Sequence, residues 1–413
     1  KLHNGARVLV DKKHVAMLSK YCWRTTGKSG GYVTCLIDGS EQGRVKMYEM
    51  LYDGVPTVIF LNRDRLDYRK KNILPIHSQL RYSEKRETAL TDCLEPPVTV
   101  PDIVAELKRF YPDGPPPFPK MSDTDCIRDF VFLYNQENRA LEKCAAFGAT
   151  LCNAFFGDAR VHARHKEYPN MADMWRNTAN MTRVCKKMTD FSGWTIENLY
   201  KAYTIQYYMA CNFRPMYARN IYDYMLLPGV SNKRVLDPCA GFGGRLLGFY
   251  ASTTCSEYVG IDPNPLLTDP FKNMMAWMGD KFPTISRKKK VSIIHRASED
   301  VIFETLGTGG LYDIVFTSPP YWDIEVYNKQ DPNQVHNRYT NVDEFHKGFF
   351  EPLMAKSCNA LKPGGVFALN IRYPPMEECM HAFMATRNDM TKMPDMVIPR
   401  QVRMQLKSSD KKH

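Results

Sequence analysis

The second half of the chain carries short apolar runs that each end on a small or polar residue. Val235-Leu236 runs into Asp237, Tyr258-Val259-Gly260-Ile261 into Asp262, and Ser292-Ile293-Ile294 leads to Ala297-Ser298-Glu299-Asp300. A fourth run, Ile314-Val315-Phe316, is stopped by Pro319 and Pro320. Runs that are apolar at successive positions, rather than alternating, predict strands buried on both faces, as in a parallel sheet. An apolar helical stretch begins at Leu246. Residues 125–227 show helical spacing instead: Phe130, Phe132, Leu133 and Tyr134, then Leu141, Cys144, Ala145 and Phe147, then the aromatic-rich stretch 194–209. Tyr200, Tyr203, Tyr207 and Tyr208 are expected to pack against the sheet. The first 90 residues alternate β-like runs (Arg7-Val8-Leu9-Val10, and 31–36) with polar turns. Between these parts stand Pro96, Pro97, Pro101, Pro112, Pro115, Pro116, Pro117 and Pro119, a density that stiffens a chain and predicts an interdomain linker with one short helix at 103–110. The expected fold is α/β, with helices on both faces of the sheet, preceded by a helical segment and a small α+β N-terminal domain. The expected boundaries are 1–90, 91–124 (linker), 125–210 and 211–413. No internal repeat is present.

Length and composition fit that division. The 413 residues, 44% hydrophobic, suffice for two to three folded domains. No run of 18 apolar residues occurs, so no membrane span is expected. Twelve cysteines without a CxxC pair suit a reducing cytoplasm and predict neither a disulfide framework nor a metal site. Lys1 opens the chain without a Met or signal-like segment, so a processed or trimmed start is expected. The net charge of +11 points to a polyanionic partner. Residues 1–90 hold 17 Lys+Arg against 9 Asp+Glu, most of that excess.

Candidate chemistry clusters at the predicted strand ends. The prolines of Ser318-Pro319-Pro320-Tyr321 have no N–H, so the backbone there offers carbonyls beside one hydroxyl and one aromatic ring. Such a set can accept the hydrogens of an exocyclic amine and stack on a planar base flipped out of a helix. Upstream, Asp237-Pro238-Cys239-Ala240-Gly241-Phe242-Gly243-Gly244 joins a strand to a helix, where glycines allow close approach of a ligand. Asp262, at the end of the next strand, stands where a ribose diol is usually gripped. The 297–300 stretch offers a carboxylate for an adenine amino group, or a helix cap.

Taken in order, VLDPCAGFGG, GIDPNP, TSPPY and LKPGGVFALNIR (residues 361–372) resemble the motifs of S-adenosylmethionine-dependent amino-methyltransferases acting on DNA. The resemblance covers roughly residues 211–375 and implies a Rossmann-like methyltransferase sheet. It assigns Asp237, Pro238, Ala240, Gly241, Gly243, Asp262 and Asp300 to S-adenosylmethionine, and Ser318, Pro319, Pro320 and Tyr321 to the target base. Too few residues separate the glycine loop from Ser318 to hold an inserted recognition domain, so recognition is expected from elsewhere in the chain.

The front segment supplies a candidate. VDKKHVAMLSKYCWR, GYVTC and LNRDRLDYRKKNI resemble HNH-type homing endonuclease and AP2-like DNA-binding modules common in phage genomes. Tyr48 and Phe60 occupy the positions matching that family's histidines, while Asn62, Asp67, Arg69 and Asn72 are retained. Neither Tyr nor Phe can activate water on a metal, so the module reads as a nuclease relic that grips DNA. Arg63, Arg65, Arg69, Lys70 and Lys71 are expected at phosphates, joined by Lys329 and Arg338 from the polar segment 322–340, a candidate closing loop. For His162, Arg164, His165 and Lys166 a phosphate-facing surface is expected rather than a metal site.

The implied reaction moves a methyl group to an exocyclic amine of a flipped base in duplex DNA, in the cytoplasm of a bacterial or phage-infected cell. Ser at 318 resembles the cytosine-N4 branch. Adenine N6, an RNA or tRNA guanine amine, and a catalytically inactive DNA-binding protein remain alternatives. Cys239 lies in the cofactor loop, before the target motif, which argues against a covalent nucleophile. The oligomeric state is left open by the sequence.

Overall fold

A computed structural model describes residues 2–26, 32–37, 44–76, 99–119, 121–136, 146–165, 168–191, 194–207, 209–371 and 373–386. The chain divides into two compact units, Lys1–Glu84 with Ser122–Arg139, and Lys85–Met121 with Ala140–His413.

The second unit is built on five strands, β1 (Lys233–Asp237), β2 (Cys255–Ile261), β3 (Lys290–Ile294), β4 (Tyr312–Thr317) and β5 (Leu361–Leu369). They lie in the order β5-β4-β1-β2-β3, every neighbouring pair parallel. Burial on both faces explains the unbroken apolar runs. Val315, Val259 and Ile261 face a core shared with Phe345, Phe349, Phe350 and Leu353. On the other face the Phe316 ring meets Phe213 and Tyr222 edge-on at 5.4 and 5.6 Å. There, too, Phe249 of the fully buried helix α1 (Gly244–Ala251) lies against Tyr258. The α/β architecture with helices on both faces agrees with the sequence. From β1 the chain moves outward through β2 and β3, then returns to place β4 and β5 on the opposite side. The switch point, where α/β sheets open a crevice at the strands' carboxyl ends, therefore lies between β1 and β4.

The stretch read as a linker is structured where it is described. Thr99 caps the helix Val100–Phe110, which buries Ile103, Val104 and Leu107 among Met174, Trp175, Val184 and Tyr203. Beyond it, Pro116 O accepts from Tyr200 Oη at 2.5 Å, and Phe118 N donates to Asp158 Oδ1 at 2.6 Å. The helix falls where the sequence placed one, and the proline run after it is bonded to this unit rather than left as a free tether. The same helical core takes Tyr200 and Tyr203, which therefore pack among helices rather than on the sheet as expected. Tyr208 and Lys166 lie outside the described residues.

In the first unit, antiparallel strands Arg24–Thr25, Val33–Leu36 and Arg44–Lys46 form one small sheet, and Thr57–Phe60 pairs with Ile73–Ile76 in another. The helix Asp123–Asn135 belongs to this unit, not with residues 125–210 as the sequence pattern suggested. Asn135 holds the Thr57–Phe60 strand: its Nδ2 donates to Val58 O at 2.8 Å and its Oδ1 accepts from Phe60 N at 3.1 Å. Tyr134 Oη adds a bond to Leu61 O at 3.1 Å.

Candidate active site

The carboxyl ends of the strands converge on a cavity lined by Pro238, Cys239, Asp262, Asn264, Ser298, Glu299, Ser318, Pro320 and Phe349, with Tyr327, Gln334 and Val335 over it. Sequence reading placed Pro238, Asp262, Ser318 and Pro320 in one site, and the fold brings them together. The enclosed volume is small, about 70 Å³.

Asp262 follows β2 directly. Its Oδ2 accepts from Gly241 N at 2.8 Å and its Oδ1 from Asn264 N at 3.0 Å. Burial outweighs these bonds and pushes the carboxyl up to about 6. Asn264 beside it is buried, and its Nδ2 has no hydrogen-bond partner. An amide donor left bare in a cavity wall costs stability unless a ligand accepts from it.

Asp237 does not line the cavity. Fully buried at the end of β1, its carboxylate accepts from Arg245 Nε at 2.7 Å, Tyr258 Oη at 2.6 Å and Thr317 Oγ1 at 2.9 Å. It ties β1, β2, β4 and α1 together, a structural role in place of the ligand contact expected from the sequence. Gly241, Gly243 and Ala240 also stay off the lining; Ala240 N is spent on Ile261 O at 2.8 Å. Packing demands glycine at 243, because a Cβ there would sit 2.4 Å from the Phe156 ring, and its φ of +74° suits no other residue well. Burial pushes the Cys239 thiol far up, which removes it as a thiolate nucleophile at neutral pH.

Asp300 does not line the cavity, contrary to the cofactor role expected of it. Its Oδ2 accepts from Arg338 Nη2 at 2.9 Å, and Glu299 lines the cavity instead. Glu299 Oε1 takes Arg338 Nη1 at 2.6 Å and Tyr339 Oη at 3.0 Å. Arg338 is thereby engaged in ion pairs rather than facing outward for phosphate. These bonds fasten segment 322–340, as do Trp322 Nε1 to Tyr339 O at 3.1 Å and the pairing of Glu325-Val326 with His165-Arg164. Trp322, directly behind Tyr321, holds a φ of +48°, a strained value for a bulky residue. Pro319 is buried, and Tyr321 packs partly buried against the sheet core; neither lines the cavity.

Beyond segments 263–267 and 326–334 a larger cleft of about 1330 Å³ opens. Lys329, exposed, lines it with His162, Arg164 and Arg176, but so do Asp113, Asp158, Asp173 and Asp331. Four aspartates outnumber Lys329, Arg164 and Arg176 there, so it is not the basic surface expected around His162. Among the described residues, no group of three or more His, Cys, Asp or Glu is placed to hold a metal, and no helix is long and apolar enough to cross a membrane.

In the first unit, Tyr48 and Phe60 are core residues, each about 1% exposed. Asn62 Nδ2 bonds Asp67 Oδ2 at 3.0 Å, Asn72 Oδ1 accepts from Asn62 N at 2.7 Å, and Arg69 forks onto Asp67 at 2.7 and 2.6 Å. The retained Asn-Asp-Arg-Asn set locks the loop. Arg69 is thus committed to Asp67, Arg65 Nη2 donates to Asn135 O at 2.9 Å, and Arg63 is buried over the Tyr134 ring. Of the five expected phosphate contacts here, Lys70 and Lys71 are exposed. Asp11 Oδ2 accepts from Lys70 N at 2.8 Å, which sets the turn carrying exposed Lys12 and Lys13 beside them.

Sequence reasoning did not single out Asn264 or Asn370, and within the 297–300 stretch it chose Asp300 over Glu299. Each immediately follows an apolar strand or lies within a few residues of its end, which was the available signal.

No family model and no curated protein matches the chain. Solved structures similar to part of it include a methyltransferase homologue from Pyrococcus horikoshii, at 14% identity over 42% of this chain and 49% of that one, TM-score 0.27. The rRNA methyltransferase AviRa from Streptomyces viridochromogenes matches at 18% identity over 40% and 79%, TM-score 0.26. A SAM-dependent methyltransferase from Agrobacterium tumefaciens matches at 15% identity over 43% and 52%, TM-score 0.27. The chain thus spans about half the length of the first of these.

Proposed function

We propose that this chain is an S-adenosylmethionine-dependent methyltransferase acting on an exocyclic amine of a DNA base, cytosine N4 in preference to adenine N6. The observation that carries the reading is one cavity, at the switch point of a parallel sheet, walled by both Asp262 and Ser318. The wall suits the cofactor chemically. Asp262 offers carboxylate oxygens for a ribose diol, the orphaned Asn264 Nδ2 offers a donor beside it, and Glu299 offers an acceptor for an amino group. Tyr327, Gln334 and Val335 of segment 322–340 line the same cavity, so a nucleoside bound there meets that segment, which is placed to close over it.

S-adenosylmethionine supplies an electrophilic methyl group when bound. The residues of this chain do the rest by placement. Ser318 Oγ and the Pro319 carbonyl accept the amine hydrogens, which aims the nitrogen lone pair away from the ring. Tyr321 stacks on the base face, and the Trp322–Tyr339 bond closes water out. Serine at 318 favours cytosine N4. The N-terminal unit grips duplex DNA through Lys12, Lys13, Lys70 and Lys71. Nucleoside mass analysis of DNA and RNA from cells expressing the chain tests this. N4-methylcytosine in DNA is the expected product, and no new methylated nucleoside in either polymer refutes the reading.

A further inference from the structure

Ser318 and Asn370, just past the carboxyl ends of β4 and β5, form a two-way hydrogen-bonded pair. Asn370 N donates to Thr317 O at 2.9 Å, which extends the strand pairing by one residue and fixes the asparagine backbone. Asn370 Nδ2 donates to Ser318 Oγ at 3.0 Å, and Ser318 Oγ donates to Asn370 O at 3.2 Å. A hydroxyl has one hydrogen and two lone pairs. The hydrogen and one lone pair are committed to Asn370, and the oxygen that keeps one acceptor site belongs to a residue lining the cavity.

We propose that Asn370 is a positioning residue for Ser318: its backbone carbonyl takes the serine hydrogen while its side-chain amide holds the hydroxyl in that rotamer, so that Ser318 presents an acceptor and the site takes a base bearing an amino group and rejects one bearing a carbonyl at the same position. A freely turning serine donates to a carbonyl as readily as it accepts from an amine. Cytosine and thymine differ at that atom, an amine on one and an oxygen on the other. With its hydrogen held by Asn370 O, Ser318 presents only a lone pair, which repels a carbonyl oxygen and accepts an amine hydrogen. The inference rests on the reading of Ser318 as a target-base contact.

Steady-state methylation of genomic DNA from a strain without DNA methyltransferases, with labelled S-adenosylmethionine, tests it on four proteins: the parent, Ser318→Ala, Asn370→Ala and the double variant. Asn370→Ala keeps the backbone carbonyl and removes the Nδ2 donor that holds the Ser318 hydroxyl in place. It is expected to lower kcat about ten-fold or more, as misplacement of a contact group does, with calorimetric affinity for S-adenosylmethionine held within about two-fold. Because Asn370 acts through Ser318, the double variant is expected to be no slower than Ser318→Ala alone. Losses that multiply in the double variant indicate an independent structural role and overturn the proposal, as does parental kcat in Asn370→Ala. Asn370→Leu, similar in volume and lacking the donor, serves if the alanine variant does not fold. Parental turnover in Ser318→Ala is a separate outcome: it removes the target-base reading and the inference with it.

Discussion

Gly241 donates its backbone N–H to Asp262 Oδ2 at 2.8 Å, so the loop behind β1 holds the acidic residue behind β2 in place. The carboxyl is nonetheless raised to about 6 by burial. Binding a ribose diol requires the ionised form, so cofactor affinity should rise with pH through this range, about ten-fold between pH 5 and 7, and level off above. Calorimetric titration at several pH values measures it. Asp262→Asn should bind more weakly, by roughly 1.5–3 kcal/mol if the lost bonds are charge-assisted, and without the pH slope. The same group acts on stability in the reverse direction from a paired carboxylate. Its folded value lies above its unfolded one, so the contribution of Asp262 to stability falls as pH rises from about 4 to about 6.

Tyr321→Ala should abolish methyl transfer while leaving S-adenosylmethionine affinity within a few fold. The ring is partly buried against the sheet core and does not line the cavity, so under the proposed reading its loss is expected in turnover rather than in cofactor binding. Loss of a stacking ring costs about 1–3 kcal/mol of base binding. Turnover equal to the parent's would remove Tyr321 from the site.

Arg245 and Asp237 form a buried pair at 2.7 Å, and the Asp237 carboxylate raises the guanidinium against the burial that opposes it. Removing one partner strands the other charge in the core, which typically costs about 3–5 kcal/mol. Arg245→Met should therefore lower Tm by about 10 °C, far more than loss of the half-exposed Arg338 contacts. A thermal melt with Tm unchanged would show that Asp237 is not the hub of the sheet.

The parallel sheet was legible because strands buried on both faces leave unbroken apolar runs, and Val235-Leu236 and Ile314-Val315-Phe316 are such runs. The strand ends were legible for the same reason, which is why Asp262 and Ser318 were expected at strand ends, where both line one cavity. What the sequence could not separate was a polar residue facing the cavity from one facing its own fold. Asp237 and Asp262 close similar strands, yet Arg245 and Tyr258 reach only the first. Arg69 and Lys70 are neighbours, yet Asp67 takes Arg69 inward. Such distinctions depend on side chains far apart in the chain, as Asn370 and Ser318 are. The proline-dense stretch misled because proline count reports stiffness, not whether the segment bonds to its neighbours, as it does at Tyr200 and Asp158.

The grip on DNA is best tested by substitution, because the first unit cannot be removed cleanly. Deleting residues 1–90 takes away the strand Thr57–Phe60 that the helix Asp123–Asn135 holds, and strips Asn135 of Val58 and Phe60 and Tyr134 of Leu61. The truncated chain is expected to expose that helix and aggregate, whatever the role of the charge. Changing Lys12, Lys13, Lys70 and Lys71 together to Gln keeps the fold, since all four side chains are exposed. Each phosphate contact contributes about −0.9 to the slope of log affinity against log salt on duplex DNA, so the slope should flatten by up to about 3.6. Affinity for S-adenosylmethionine should not change. An Arg69→Gln variant is the internal control: its guanidinium is committed to Asp67, so it should cost stability and leave the salt slope nearly intact. A salt slope unmoved by the four lysine changes would show that these two turns do not meet the DNA backbone.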